Sequence, residues 1–284
     1  MDKKIIDGKI VSEKIRGQIK NQVDDLKNQS SAIPGLAAVL VGEDGPSQIY
    51  VRNKRKACEN VGIYSEEHKL PENTTESDLL NLIDKLNNQE NINGILIQLP
   101  LPSHIDETKI LNSVNPDKDV DGFHPVNAGN LFEGKPSFIA CTPHGIIKML
   151  EHYNLEIEGK NAVVLGRSNI VGKPVSILLL QKNATVTICH SRTQNLDRLL
   201  READIIVAAI GRANFVKESM VKEGAVVIDV GINRLDSGKL VGDVDFENVI
   251  SKCLMITPVP GGVGPMTITM LLWNTLESFK KSIS

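Results

Sequence analysis

The stretch from Lys160 to Pro174 constrains the fold of this 284-residue chain more than any other part of its sequence. It begins with an apolar run of branched residues that ends at Gly166, and a turn and a helix start follow. Continuous apolar runs of this kind are typical of strands buried on both faces of a parallel sheet. The N–H groups of the following turn and helix start point at any anion that docks there. The stretch therefore predicts a doubly wound α/β domain that holds the phosphates of a dinucleotide.

The phosphate-binding motif itself departs from the pattern G-x-G-x-x-G. Ser168 and Val171 stand where the second and third glycines would be, so the motif alone is a weak indicator. Two further apolar segments, residues 204–210 and 225–230, support it because each is followed by a glycine that leaves room for a ligand. The alternative is an α/β domain without a nucleotide, in which Gly166 only closes a turn.

The residues after the next strand indicate which dinucleotide binds. This strand, over residues 184–188, is followed by Cys189, His190, Ser191 and Arg192. An acidic side chain at this place would hydrogen-bond the ribose 2′-hydroxyl of NAD, whereas a hydroxyl and a guanidinium suit a 2′-phosphate. The sequence therefore predicts NADP as the cofactor.

Length and composition exclude several other classes of protein. The net charge is −3 with both signs interspersed, which predicts no binding to nucleic acid or to an anionic membrane. No apolar run reaches the roughly 18 residues that span a bilayer, and the start has no long apolar segment, so we expect a cytoplasmic protein. The cysteines are scattered singly and no two histidines are four residues apart, so no metal site is predicted.

The first half of the chain also alternates strands and helices. Its predicted elements are helices over 12–26, 47–60 and from 74 onward, and strands over 35–42 and 94–98. This alternation predicts a second, smaller parallel sheet with helices packed on it.

Residues 100–140 form a loop-rich stretch, and the connection between the two domains is expected at its end. Thr142 and Pro143 then resemble a helix cap followed by proline at the first helical position. The last helix, over 267–279, is expected to pack back on the first domain. We therefore predict one domain from residues 1–140 and 268–284, and a second from residues 141–267.

One lysine lies within the apolar stripe of the helix predicted over residues 47–60. At about 3.6 residues per turn, Lys54 shares a face with Tyr50, Cys58 and Val61. Burial disfavours the charged form of an amine, so a lysine here could give or take a proton near neutral pH. The alternative is that Lys54 extends to the rim of the helix and contributes packing alone.

Two segments beside the predicted strands carry further polar residues. Gln98 ends a strand, and the rigid Leu99–Pro102 segment turns the chain away at the carboxyl edge of the sheet, where ligands of open α/β sheets bind. Asp117, Asp119 and Asp121 crowd a short loop, but their spacing lacks the terminal glutamate of a calcium-binding EF-hand loop. A solvated loop is the alternative for these aspartates.

Residues 257–267 combine prolines with glycines just before the last helix. Prolines fix the path of the chain, and glycines allow a ligand to approach the backbone closely. The alternative is a rigid turn without a ligand.

Five motifs in chain order carry a family resemblance. They are Tyr50-x-x-x-Lys54, Gln98-Leu99-Pro100-Leu101-Pro102, Lys118-Asp119-Val120-Asp121-Gly122, Gly166-Arg167-Ser168 with Val171-Gly172-x-Pro174, and Pro258-Val259-Pro260-Gly261-Gly262-Val263-Gly264-Pro265. Together they cover nearly the whole chain and resemble the bifunctional methylenetetrahydrofolate dehydrogenase/methenyltetrahydrofolate cyclohydrolase family. The resemblance implies a homodimer with a folate-binding domain, a Rossmann-type NADP-binding domain and a cleft between them.

The resemblance also implies the reaction. An enzyme of this family oxidises 5,10-methylenetetrahydrofolate with NADP and then adds water to the methenyl cation, which gives 10-formyltetrahydrofolate. Such a cytoplasmic enzyme supplies one-carbon units to purine, histidine and methionine biosynthesis.

Residue roles follow from the same resemblance. Lys54 would be the acid/base group of the hydrolytic step, largely neutral in the ternary complex, and Gln98 would orient it. Tyr50 would pack against the folate, and Asp121 would anchor the pterin. The remaining implied contacts to substrate are Leu99, Pro100, Pro260, Gly261 and Gly262, and those to NADP are Gly166, Arg167, Ser168, Ser191 and Ile232.

Two other readings of the sequence stay open at this point. A shikimate-dehydrogenase-like NADP oxidoreductase shares a two-domain α/β plan with a catalytic lysine, although the Gln98–Pro102 segment argues against it. An NADP-binding sensor without catalysis would bind the cofactor and give Lys54 no purpose.

Overall fold

The computed structural model describes residues 4–30 and 32–283 of the chain. The α-helices are α1 (Gly8–Ser30), α2 (Gly45–Val61), α3 (Glu76–Asn87), α4 (Glu107–Ser113), α5 (Pro125–Phe132), α6 (Cys141–His152), α7 (Gly172–Gln181), α8 (Leu196–Glu202), α9 (Phe246–Val249) and α10 (Val263–Ser282). The strands are β1 (Gly35–Val41), β2 (Tyr64–Leu70), β3 (Gly94–Ile97), β4 (Asn161–Leu165), β5 (Thr185–Cys189), β6 (Ile205–Ala208), β7 (Val226–Asp229), β8 (Asn233–Arg234), β9 (Leu240–Val241) and β10 (Met255–Ile256).

The chain divides into two compact units, which we name after their sheets. The five-stranded unit contains Met1–Glu13 and Thr142–Thr267, and the three-stranded unit contains Lys14–Cys141 and Ile268–Ser284. Of these, residues 1–3, 31 and 284 lie outside the described part of the chain.

The amino-terminal segment groups differently from the predicted boundary, which placed residues 1–140 together. It belongs to the five-stranded unit because the Ile6 N–H donates to the carbonyl of Ile256 at 2.9 Å. The Gly8 N–H likewise donates to the carbonyl of Gly261 at 3.0 Å. These pairings join residues about 250 positions apart, which hydrophobic patterning along the chain does not reveal.

The five-stranded sheet is entirely parallel, with the order β5-β4-β6-β7-β10. Its centre is apolar, since Val164, Ile206 and Val227 are fully buried. The chain leaves β4 for β5 on one side and then returns to β6 on the other. The carboxyl ends of β4 and β6 therefore form a topological switch point, the place where open α/β sheets bind ligands. The predicted doubly wound fold is confirmed.

The three-stranded sheet has the order β2-β1-β3 and is also parallel. All seven residues of the continuous apolar strand β1 are buried. Helix α3 begins as its sequence predicts, because the Thr75 side chain accepts from the Asp78 N–H at 3.1 Å. Its fully buried stripe, Leu79, Ile83 and Leu86, repeats at helical spacing.

Several elements were not predicted from the sequence, among them β2, α4 and α5. Strand β2 reads Tyr-Ser-Glu-Glu-His-Lys-Leu and lacks apolar alternation, because it lies at the edge of its sheet with much of its surface exposed. Helices α4 and α5 occupy the stretch expected to be loop-rich, and the side chains of Asp106 and His124 cap them. In addition, α6 begins at Cys141, so Thr142 lies within that helix and is not its cap.

The predicted return of the last helix to the first half is confirmed. The Asn274 side-chain amide on α10 donates to the carbonyls of Val120 at 2.8 Å and Ile139 at 3.0 Å. The Ser278 hydroxyl donates to the carbonyl of Asn93 at 2.6 Å. Among residues 4–30 and 32–283, no helix has the length and hydropathy required to cross a bilayer.

Candidate active site

Lys54 lies on the buried face of α2. Its side chain is in the same stripe as Val51 and Cys58, and the residue is only 8% exposed. Extension of this lysine to the solvent-exposed rim, the alternative considered from the sequence, is therefore wrong. Tyr50, one turn earlier, is 43% exposed and is thus open to a ligand.

Gln98 lies directly after β3, at the carboxyl edge of the three-stranded sheet. Its backbone N–H still donates to the carbonyl of Val39 in β1, at 2.9 Å. Its side-chain Nε2 donates to the carbonyl of Leu99 at 2.7 Å, and its Oε1 accepts from the Lys54 Nζ at 3.1 Å. The contact with Leu99 determines which end of the amide faces the lysine. The peptide bond between Leu99 and Pro100 is cis.

Asp121 provides a negative charge close to Lys54. Burial of its carboxyl group raises the pKa of Asp121 to about 6. The positive charge of Lys54 opposes this shift, and the negative charge of Asp119 reinforces it. The lysine and this aspartate are therefore electrostatically coupled within one site.

The neighbouring aspartates of the same loop have different surroundings. The Asp119 carboxylate accepts from the backbone N–H groups of Phe123 at 3.2 Å and His124 at 2.8 Å, and from the Asn127 side-chain amide at 2.8 Å. Asp117 is exposed. Asp119 therefore shapes the loop, which leaves Asp121 as the acid that faces the lysine. In the part of the chain that the structure describes, no three acidic, histidine or cysteine side chains are grouped to hold a metal ion.

The turn after β4 has the geometry expected of a phosphate-binding loop. Gly166 has a φ of +127°, and a Cβ there would overlap the Ala209 carbonyl oxygen, so only glycine fits. The Ser168 hydroxyl oxygen accepts from the N–H groups of Val171 at 3.2 Å and Gly172 at 3.3 Å at the start of α7. Residues 167–170 are exposed, so the turn is accessible to an anion at a helix start.

Two arginines follow neighbouring strands at this same edge. Leu165 of β4 pairs with Cys189 of β5, so the loops that carry Arg167 and Arg192 begin at neighbouring strand ends. Both residues, and Ser191, are exposed. A hydrogen bond from the His190 N–H to the Thr193 hydroxyl, at 2.8 Å, closes the turn that carries Ser191 and Arg192.

The proline-glycine segment lines a cavity of about 220 Å³ in the five-stranded unit, together with Ile232, Asp229 and Lys9. Ile232 is 50% exposed, and Gly261 and Gly262 are part of the lining. Sequence reasoning missed Asp229 and Lys9. Asp229 could have been detected as an acidic residue that ends an apolar strand. The position of Lys9 beside this cavity, in contrast, depends on the long-range hydrogen bond from the Gly8 N–H to the Gly261 carbonyl.

Two protein-family models match most of the chain. The catalytic domain of tetrahydrofolate dehydrogenase/cyclohydrolase matches residues 6–121. The NAD(P)-binding domain of the same enzymes matches residues 140–283.

Relatives are similar over the full length. Bifunctional protein FolD of Campylobacter hominis is 57% identical over 279 residues, which cover 98% of each chain. The crystal structure of FolD, a methylenetetrahydrofolate dehydrogenase/cyclohydrolase from Campylobacter jejuni, is 51% identical with a TM-score of 0.96 and covers 98% of each chain. A Trypanosoma brucei FolD structure, complexed with NADP and an inhibitor, is 40% identical with a TM-score of 0.94 and again covers 98% of each chain.

Shikimate dehydrogenases share the fold alone. The enzyme from Thermus thermophilus is 14% identical with a TM-score of 0.54, covering 88% of this chain and 100% of its own. The full-length relatives and both family models decide against a shikimate-dehydrogenase-like protein. They confirm the family predicted from the five motifs: the chain belongs to the tetrahydrofolate dehydrogenase/cyclohydrolase family.

Proposed function

We propose that this chain oxidises 5,10-methylenetetrahydrofolate to 5,10-methenyltetrahydrofolate with NADP and hydrolyses the product to 10-formyltetrahydrofolate. The observation that carries the proposal is the buried amine of Lys54, held by Gln98 beside Asp121 at the carboxyl edge of a parallel sheet. Family membership supports both activities. A sensor without catalysis offers no reason to bury an amine next to a half-buried carboxyl group.

The residues of the five-stranded unit fit NADP. The glycine turn at Gly166 and the exposed residues 167–170 before α7 suit a pyrophosphate, and Ser168 lies in that turn. No carboxylate follows β5, where Ser191 and Arg192 suit a 2′-phosphate instead. Bound NADP supplies the hydride acceptor for the first step. We assign the five-stranded unit to NADP and the three-stranded unit to the folate.

Lys54 would act in the second step as the proton acceptor and donor. Water attacks the methenyl carbon, and the Lys54 amine takes the proton that this water loses. The bond from that carbon to N5 then breaks as the new hydroxyl loses its remaining proton to water. Lys54 returns its proton to N5, and the carbon remains on N10 as a formyl group. Gln98 would keep the amine directed at this carbon through the 3.1 Å hydrogen bond to its Oε1.

In the part of the chain that the structure describes, Gln98 is also the sole hydrogen-bond partner of the Lys54 amine. A lysine amine has capacity for several hydrogen bonds, so the remaining positions are available to water or substrate. Tyr50 would pack against the folate ring system, with Leu99 and Pro100 of the same unit as further borders. A cytoplasmic homodimer stays a prediction from the family resemblance, and light scattering of the purified chain tests the dimer.

Folate binding should weaken in acid if the Asp121 carboxylate accepts hydrogen bonds from the pterin N–H groups. Burial raises the pKa of Asp121 to about 6, so protonation below that pH removes the acceptor. We expect the Kd of folic acid, measured by fluorescence titration, to rise about tenfold per pH unit below this value. Asp121→Asn should bind weakly at every pH and lack this dependence.

Asp117→Asn is the matched control, because Asp117 is an exposed carboxylate of the same loop. Its titration curve should match that of the wild type. If Asp121→Asn still loses affinity for folic acid below pH 6, a group other than Asp121 causes that loss.

A further inference from the structure

Two buried acidic residues that the proposed reaction does not use lie at the carboxyl edge of the five-stranded sheet. Asp229 is the last residue of β7 and is 2% exposed, and Asp243 follows β9 and is fully buried. Acidic residues are almost never buried to this extent unless they are paired or hydrogen-bonded. What these two carboxylates bind therefore indicates what they do.

The Asp243 carboxylate is surrounded by N–H donors. It accepts from the backbone N–H groups of Ile210 at 2.7 Å, Gly211 at 3.0 Å and Arg212 at 2.8 Å, and from the Asn233 side-chain amide at 3.0 Å. Successive backbone N–H groups that converge in this way form an anion-binding concavity. Here the chain's own carboxylate occupies the concavity and fixes the loop after β6.

Asp229 in turn holds the segment that carries Asp243. Its carboxylate accepts from the backbone N–H groups of Asp243 at 2.8 Å, Val244 at 2.9 Å and Gly231 at 3.1 Å. Only glycine fits at position 231, because a Cβ there would overlap the Asp243 carboxylate. Burial raises the pKa of Asp229 to about 7, and the N–H donors oppose this shift. The two acids therefore join three segments, those after β6, β7 and β9.

These segments border the half of the sheet that faces the nicotinamide end of a dinucleotide. In doubly wound folds the two halves of the sheet bind the two mononucleotides on either side of the switch point. Gly166 and Ser191 belong to the half formed by β4 and β5, whereas β6 and β7 form the other half. Ile232, one of the residues expected to hold NADP, lies between Gly231 and Asn233, which donate to Asp229 and Asp243 respectively.

We propose that Asp243, held in place by Asp229, is a positioning residue that sets Ile232 and the loop over residues 210–212 for the nicotinamide half of NADP. The proposal rests on the proposed function, since it presupposes that NADP binds this unit. It assigns neither acid to the chemistry of hydride transfer.

Asp243→Asn tests the proposal. An amide offers one acceptor oxygen to the four donors, and its nitrogen would face donors, so the loop should lose its fixed position. Without folate present, we expect the Kd of NADPH, measured by its fluorescence, to rise at least about tenfold. Amide hydrogen exchange over residues 210–212 should become faster, whereas exchange at Gly166 should not change. In turnover, the KM for NADP should rise while the KM for the folate stays constant.

Asp204→Asn is the matched control. The Asp204 carboxylate accepts from the Asn161 N–H at 2.9 Å and pairs with Lys222, but it precedes β6 and so lies at the opposite edge of the same sheet. Its NADPH affinity should remain within twofold of the wild type. Equal NADPH affinities for Asp243→Asn and the wild type would overturn the proposal.

Two further results keep the test decisive. If Asp243→Asn does not fold, Asn233→Ala removes one donor and leaves the carboxylate, and we expect a Kd about threefold higher with an unchanged Tm. An unchanged Kd in Asn233→Ala would then overturn the proposal. A wild-type protein that binds no NADPH would contradict the proposed function itself, which is distinct from failure of the variants alone.

Discussion

Replacing Lys54 with methionine is expected to lower the cyclohydrolase rate by about 10²- to 10⁴-fold, the usual contribution of a positioned acid/base group. Methionine keeps an unbranched side chain at a position that is 8% exposed, so the packing of α2 should survive. What the variant lacks is the amine that accepts a proton from the attacking water. The measurement is the decay of methenyltetrahydrofolate absorbance with the purified variant.

The dehydrogenase step should be affected less by the same change. Hydride transfer depends mainly on holding two carbons close together, which the amine does not do directly. We expect a loss of less than about tenfold, so the methenyl species should accumulate. Lys56→Met is the control, since Lys56 is an exposed lysine on the same helix, and both of its rates should match those of the wild type. Full cyclohydrolase turnover in Lys54→Met would remove this lysine from the mechanism.

Replacing Arg167 and Arg192 together with alanine is expected to weaken NADP binding by about 100-fold or more. Hydrogen bonds to charged groups contribute about 1.5–3 kcal/mol each, and every 1.4 kcal/mol corresponds to a factor of ten in affinity. Arg167 and Arg192 follow adjacent strands at the carboxyl edge of the sheet, and both residues are exposed. NAD lacks the 2′-phosphate, so its weaker binding should change little, and the preference for NADP should collapse.

Titration of each cofactor against the double variant measures this preference. Arg198→Ala is the control, because Arg198 is exposed on α8 and pairs with Glu202 at 3.8 Å. That substitution should leave the ratio of NADP to NAD affinity as it is in the wild type. If the Arg167/Arg192 double variant keeps the wild-type ratio of NADP to NAD affinity, these two side chains do not recognise the 2′-phosphate.

The elements that position the site could be predicted because their sequences are locally distinctive. The apolar run ending at Gly166 predicts an interior parallel strand, and the structure places β4 between β5 and β6. Lys54 was detectable because a cation interrupts an otherwise apolar helical stripe. Gln98 was detectable because proline residues stop the chain directly after a strand.

Other features depend on contacts that local patterns do not encode. Strand β2 is polar because it is an edge strand, and its pairing with β1 rather than its own composition makes it a strand. The sequence presented Asp119 and Asp121 as equivalent, whereas three N–H donors occupy Asp119. The contacts of Asp243 with residues 210–212 likewise require the loop after β6 to meet a segment about 30 residues later in the chain.

The reaction of 5,10-methylenetetrahydrofolate with NADP, followed by absorbance for wild type and Lys54→Met side by side, tests the central claim most directly. The wild type should form NADPH and 10-formyltetrahydrofolate with little methenyl intermediate, and the variant should form NADPH while the intermediate persists. Hydrolysis of the intermediate at equal rates in both proteins, or no NADPH from the wild type, would contradict the account.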